Sequence, residues 1–152
     1  MLLIFFGLTG TFPCMAQTAD EYEKQGLSHF RKAFYEATPR KDKAGAAAEY
    51  REAEKAFQKA IEKNPRRVEP YLHLGRTYFV QKKYEKAATR YREALKLAPE
   101  RKEICLQLAS ALEMGGDYAG AVDVLKQLRE KETDERSIQI LDDFIEKLKR
   151  KY

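Results

Sequence analysis

The sequence predicts an all-α fold: a solenoid of three helical hairpins, the first one extended, closed by a single C-terminal capping helix. Two observations carry this. Residues of like kind recur every 34 positions: Tyr50, Tyr84 and Tyr118; Ala53, Ala87 and Ala121; Phe57, Tyr91 and Leu125; Ala60, Ala94 and Leu128; Pro65, Pro99 and Thr133. Leu74 to Leu108, Gly75 to Ala109 and Tyr78 to Leu112 keep the same step. Within one period the apolar and small residues lie three and four apart, which puts them on one face of a helix. A helical pair cannot cover its own apolar face, so such units must stack on one another.

The second period, Val68 to Glu100, is the clearest. Tyr71, Leu74, Gly75 and Tyr78 stripe one helix, and Tyr84, Ala87, Tyr91 and Ala94 stripe the next. Gln81-Lys82-Lys83 is a polar connector short enough for antiparallel neighbours. Gly75 and Ala87 are small where the two helices approach, so a larger side chain at Gly75 is expected to overpack the contact. Pro99 lacks an N–H and should follow the end of the second helix. This stretch resembles a tetratricopeptide repeat, whose W-x2-L-G-x2-Y…A-x3-F…P skeleton is met at nearly every position, with Tyr standing for Trp and for Phe. The resemblance extends over Asp20 to Tyr152 and implies a protein-binding solenoid, of the exported bacterial type given the N-terminal segment described next.

Met1 to Ala19 carries no charged residue, and Leu2 to Leu8 is strongly apolar. Cys14 and Ala16 stand in the small-x-small arrangement of a signal-peptidase site, so residues 1–16 read as a signal peptide cleaved after Ala16. A retained membrane anchor is the alternative, although Gly7, Gly10 and Pro13 interrupt a segment already short for spanning a bilayer. Lipidation at Cys14 is a third reading, weakened by Pro13 directly before it. After cleavage Cys105 is the only cysteine, with no internal disulfide to form, and its place in the column of Tyr71 marks it as a small buried apolar residue.

Residues 17–67 form the first repeat, 68–101 the second, 102–134 the third and 135–152 the capping helix. The first is irregular. Asp20 to Ala37 reads as one long helix, but Gly26 to Ala53 spans 27 residues where Gly75 to Ala87 spans 12. Fifteen extra residues would lengthen both helices by about two turns, making a hairpin that protrudes with Arg40, Lys41 and Lys43 at its tip. In the capping helix, Ile138, Leu141, Ile145 and Leu148 form the buried stripe, while Ile140 and Phe144 lie beside it.

No catalytic or metal-binding constellation can be assembled. His29 and His73 are the only histidines, in different helices, and Gly115-Gly116 reads as an interhelical turn rather than a phosphate loop. The chain is therefore read as no enzyme, with no cofactor and no metal. A net charge of +5 permits acidic partners. The 29 basic and 24 acidic residues are intermixed, however, and most aromatics are committed to the repeat columns, which argues against nucleic acid.

The resemblance implies a concave groove lined by the first helix of each repeat, holding a peptide segment or partner helix. Its residues here are Leu72, His73, Arg76, Phe79 and Val80 from the second repeat and Leu106, Gln107, Ser110 and Met114 from the third, with Glu23, Leu27 and Phe30 from the first. Cytosolic co-chaperones of this family clamp a C-terminal carboxylate with Lys and Asn side chains and an Arg. The matching positions, Glu23, Leu27, His73, Glu103 and Gln107, hold none of these, and Glu23 and Glu103 would repel an acidic terminus. The expected function is a groove-binding adaptor accessory to envelope assembly or secretion. A self-assembling structural protein is one alternative. A membrane-surface protein using Arg40, Lys41 and Lys43 is the other.

Overall fold

The computed structural model describes residues 17–151. The signal-peptide reading of residues 1–16, lipidation at Cys14 and the alternative of an anchor all lie outside the described residues. Seven α-helices follow in order: α1 (Ala19–Arg31), α2 (Lys43–Lys63), α3 (Val68–Val80), α4 (Tyr84–Leu97), α5 (Lys102–Gly115), α6 (Tyr118–Lys131) and α7 (Glu135–Lys149). A π-helical segment, Lys32–Ala37, continues α1 toward the first bend. Each helix packs on the next, giving three hairpins and a final single helix, and the described residues contain no strand. No helix among the described residues is long and apolar enough to cross a membrane.

The repeat columns are the core. Ala53, Phe57, Ala60, Leu74, Ala87, Ala94, Ala109, Ala121 and Leu125 are fully buried. The close approach expected at Gly75 is present twice. A Cβ on Gly75 would lie 2.6 Å from Cε1 of Tyr91, and one on Gly26 would lie 2.5 Å from Cε1 of Phe57. The third hairpin carries Ala109 and the slimmer Leu125, both buried, at the positions that match Gly75 and Tyr91. Proline 99 follows α4 directly after Ala98, as its missing donor requires.

The three interhelical bends share one geometry. Asp42 N–H donates to the Ala37 carbonyl, Lys83 N–H to Tyr78 and Asp117 N–H to Leu112, each at 2.9–3.0 Å. The residue before each donor has positive φ: Lys41 at 60°, Lys82 at 60° and Gly116 at 86°. Only the third bend uses glycine for the left-handed conformation, which costs a side chain about 1–2 kcal/mol at the other two. The fifteen extra residues of the first hairpin therefore lengthen its helices rather than enlarge its turn. Counting from Gly26 and Gly75, α1 with its π segment runs six residues farther than α3; counting from Ala53 and Ala87, α2 starts seven residues earlier than α4. The hairpin thus extends about 10 Å past the second bend.

Four helix starts carry side-chain caps. Thr18 and Glu21 form a reciprocal capping box on α1, and Asp42, Asp117 and Asp134 accept the backbone N–H groups of Gly45, Gly120 and Ser137. Ion pairs tie successive hairpins together. Arg67 pairs with Asp20 and Glu23 of α1, and Arg101, 34 residues on, pairs with Glu69 of α3. Glu132, between α6 and α7, accepts from Lys102 Nζ at 2.7 Å and from the N–H groups of Thr133 and Asp134, which holds its carboxyl down to about 2. In α7, Leu141, Ile145 and Leu148 are buried, and Asp142 receives both nitrogens of Arg129 at 2.9 and 3.1 Å.

Candidate partner-binding groove

The first helices α1, α3 and α5 lie along one side of the stack. Between α3 and α5 is an open concavity of about 440 Å³, lined by Arg76, Phe79, Tyr91, Leu106, Gln107 and Ser110. Five of these six were expected from the sequence. The sixth, Tyr91, belongs to a packing column, and it reaches the concavity because Gly75 leaves one face of its ring uncovered by side chain. Burial pushes the Tyr91 phenol up to about 12, against the opposing pull of Arg76.

The floor is apolar and the rim polar. Leu106 is 42% exposed, although a leucine there gains nothing from water. Phe79 is half-buried and meets the Tyr84 ring edge-on at 5.5 Å, which fixes its position. Arg76 is exposed, with its guanidinium over the Phe30 ring at 5.6 Å. No described carboxylate lies within ion-pairing distance of it, so its charge faces the open side unneutralised.

The other expected residues are placed elsewhere. Leu72 and Val80 are half-buried against the core. Met114 is 54% exposed, but it lines a separate hollow at the second bend with Lys82, Lys83 and Tyr84. His73 faces the junction with the first hairpin, its ring 5.4 Å from that of Phe57 and its Nε2 3.5 Å from Glu23. In the first hairpin, Phe30 is buried beneath Arg76, and Leu27 lines a shallow hollow with Lys24, Arg31 and Lys32. Glu23 is buried against Arg67 Nε at 2.8 Å and Glu103 is held by Arg101 at 2.7 Å, but each arginine is shared with a second carboxylate, Asp20 or Glu69, so an acidic terminus would still meet excess negative charge there. The spacing of 34 between Arg67 and Arg101 was the available signal for these pairs.

Burial pushes the His73 imidazole below its ordinary value of 6.5, with Glu23 only partly opposing. A depressed histidine leaves the unfolded chain holding more protons once the pH falls below that ordinary value, so the native state loses stability there. Urea unfolding is expected to shift to lower concentration between about pH 7.5 and pH 5.5, and His73→Gln to lose less over the same interval. Equal slopes in both proteins would contradict this placement of His73. The thiol of Cys105 is likewise raised by burial, which suits packing rather than reactivity. Among the described residues, no group of three or more His, Cys, Asp or Glu side chains could hold a metal ion.

Two profiles of the tetratricopeptide repeat match residues 42–101 and 81–141, together more than half of the chain. The chain belongs to the tetratricopeptide repeat family. Among curated relatives, the tetratricopeptide repeat protein 30 homologues of Drosophila melanogaster and Drosophila pseudoobscura pseudoobscura are 38% identical over 63 residues. That match takes in 41% of this chain and 10% of theirs, so the chain spans about a tenth of the length of these relatives. Among solved structures, the TPR2B domain of yeast Sti1 in its pHsp70 complex superposes with a TM-score of 0.65 at 18% identity, covering 88% of this chain and 98% of that one. The Sgt2 TPR domain from Aspergillus fumigatus gives 0.59 at 21% identity, covering 87% and 82%. The first TPR of Spaghetti (RPAP3), bound to the HSP90 peptide SRMEEVD, gives 0.57 at 15% identity, covering 84% and 93%. At these identities the likeness is one of fold.

Proposed function

We propose that this chain is a non-catalytic adaptor that holds a peptide segment or a partner helix in the concavity between α3 and α5. The observation that carries the reading is the unneutralised Arg76 beside an apolar floor of half-buried Phe79 and exposed Leu106. A partner placing an apolar side chain on that floor and a carboxylate or carbonyl against Arg76 would remove apolar surface from water and complete the guanidinium's hydrogen bonds. Two of the similar solved domains are recorded with a bound partner or peptide, which supports a peptide-binding use of the fold. The carboxylate-clamp residues are missing at the matching positions, so the ligand is held in another way. With the apolar leader read as a signal peptide, the adaptor acts outside the cytoplasm, in the periplasm, as an accessory to envelope assembly or secretion.

Residues 17–152 immobilised and exposed to an envelope fraction should retain a partner that the Arg76→Glu, Phe79→Ala double variant does not. Circular dichroism shows whether the variant keeps its helices, and the exposed Arg76→Glu substitution alone should already weaken capture at least tenfold. Undiminished capture by a folded double variant would contradict the groove reading. Self-assembly is the second reading, favoured by Ile140 at 60% exposure on α7. It predicts a mass in solution that rises with concentration and falls on Ile140→Ser.

A further inference from the structure

The tip of the first hairpin has a composition the groove does not need. Three cations, Arg40, Lys41 and Lys43, stand at the bend between the π segment and α2, Arg31 and Lys32 lie at the near end of the π segment, and all five are exposed. None of them has a carboxylate within ion-pairing distance among the described residues, although ion pairs are common elsewhere in the chain. Of the nearby acids, Asp42 is occupied in capping Gly45 at the start of α2, and Glu36 lies in the hollow of Arg31 and Lys32 without pairing with either. Beside these cations stand two exposed aromatics, Phe34 at 37% and Tyr35 at 62%. Phe34 stacks on Phe30 at 5.7 Å, and Tyr35 meets Phe34 edge-on at 5.0 Å. The aromatic pair is thus held in place from the core outward.

We infer that this tip docks on an anionic lipid surface, with Phe34 and Tyr35 entering the headgroup layer and the surrounding cations meeting lipid phosphates. The site is separate from the groove. A peptide is held by a concave surface, whereas here the apolar groups stand on a bend that projects past the neighbouring hairpin. Aromatic rings with a polar tip, ringed by Lys and Arg, match the layered chemistry of a membrane interface: apolar below, anionic above. Long basic side chains can also lay their methylenes along the aromatics while their charges remain in the headgroups.

The test uses residues 17–152, which contain every buried core residue among the described residues, so that the apolar leader cannot itself bind lipid. Flotation is expected with vesicles of phosphatidylcholine mixed with phosphatidylglycerol, and not with phosphatidylcholine alone. High salt should abolish it, because the Debye length falls to ~3 Å at 1 M. Each interfacial cation contributes roughly fivefold to partitioning, so Arg40→Glu, Lys41→Glu, Lys43→Glu should reduce it at least about a hundredfold. Reversing the same number of exposed cations on α4 and α6 (Arg92, Lys96 and Lys126) should reduce it far less. The chain contains no Trp, so Tyr35→Trp provides a single tryptophan that can be excited apart from the tyrosines, and its emission should shift to the blue on adding the anionic vesicles. Circular dichroism of each variant confirms folding, and the Tyr35→Trp signal tests the contact without charge reversal. Absence of flotation would overturn the inference, leaving an acidic protein surface as the occupant. Equal loss from both charge-reversed sets, or flotation with unshifted Tyr35→Trp emission, would overturn it as well.

Discussion

Phe57→Ala is expected to destabilise the protein by about 3–5 kcal/mol, the range for emptying a buried aromatic site. Phe57 has no exposed surface, and its ring lies directly on the backbone of Gly26 while its other side meets His73 of α3. It therefore packs α1 against α2 and also joins the first hairpin to the second. Gly26 has no side chain to swing into the vacated space, so the cavity persists rather than collapses. In a solenoid each unit is held by its neighbours, so the loss should fall mainly on the first hairpin. Urea unfolding followed by circular dichroism should show a lower midpoint, with the first hairpin melting ahead of the rest. A loss below about 1 kcal/mol would contradict the role given to this ring.

Gly75→Leu is expected to cost about 1–3 kcal/mol by overpacking. Its Cβ alone would stand 2.6 Å from the Tyr91 ring, and that ring is 3% exposed, so it cannot swing aside. The third hairpin carries Ala109 and Leu125 at the equivalent positions, a methyl group and a narrower side chain. Gly75→Ala should therefore be destabilising alone and largely rescued by Tyr91→Leu. Thermal melts of the two single variants and the double provide the cycle. Additive losses in the double variant would mean that the two residues do not meet.

The hairpins were legible in the sequence because burial imposes a period, and Gly75, Ala87, Tyr91 and Pro99 each serve a separate geometric need that recurs with it. Extension of the first hairpin was legible by simple counting from Gly26 to Ala53. The π segment was not, since Lys32 to Ala37 has a composition equally suited to an α-helix. For the groove, periodicity identified the helix face but not what each side chain meets. Arg76, Phe79, Leu106, Gln107 and Ser110 converge on one concavity. His73 occupies an equally groove-facing position in the pattern, yet Glu23 and Phe57 of the preceding hairpin draw it into the junction. Met114 lies one turn too far along α5 and reaches the second bend instead. Tyr91 was missed for the opposite reason, because one ring can pack on Gly75 and still present an edge to the groove.

The most direct test of the groove reading is photo-crosslinking from a benzophenone side chain placed at Leu106, compared with the same group at Lys126 on α6. Both positions are exposed, so neither substitution disturbs the core. The reading predicts that a partner of the folded chain crosslinks from position 106, is competed away by that partner's own binding segment, and does not crosslink from position 126. Crosslinking from position 126 with none from position 106 would contradict it, and would move the binding surface away from the concavity between α3 and α5.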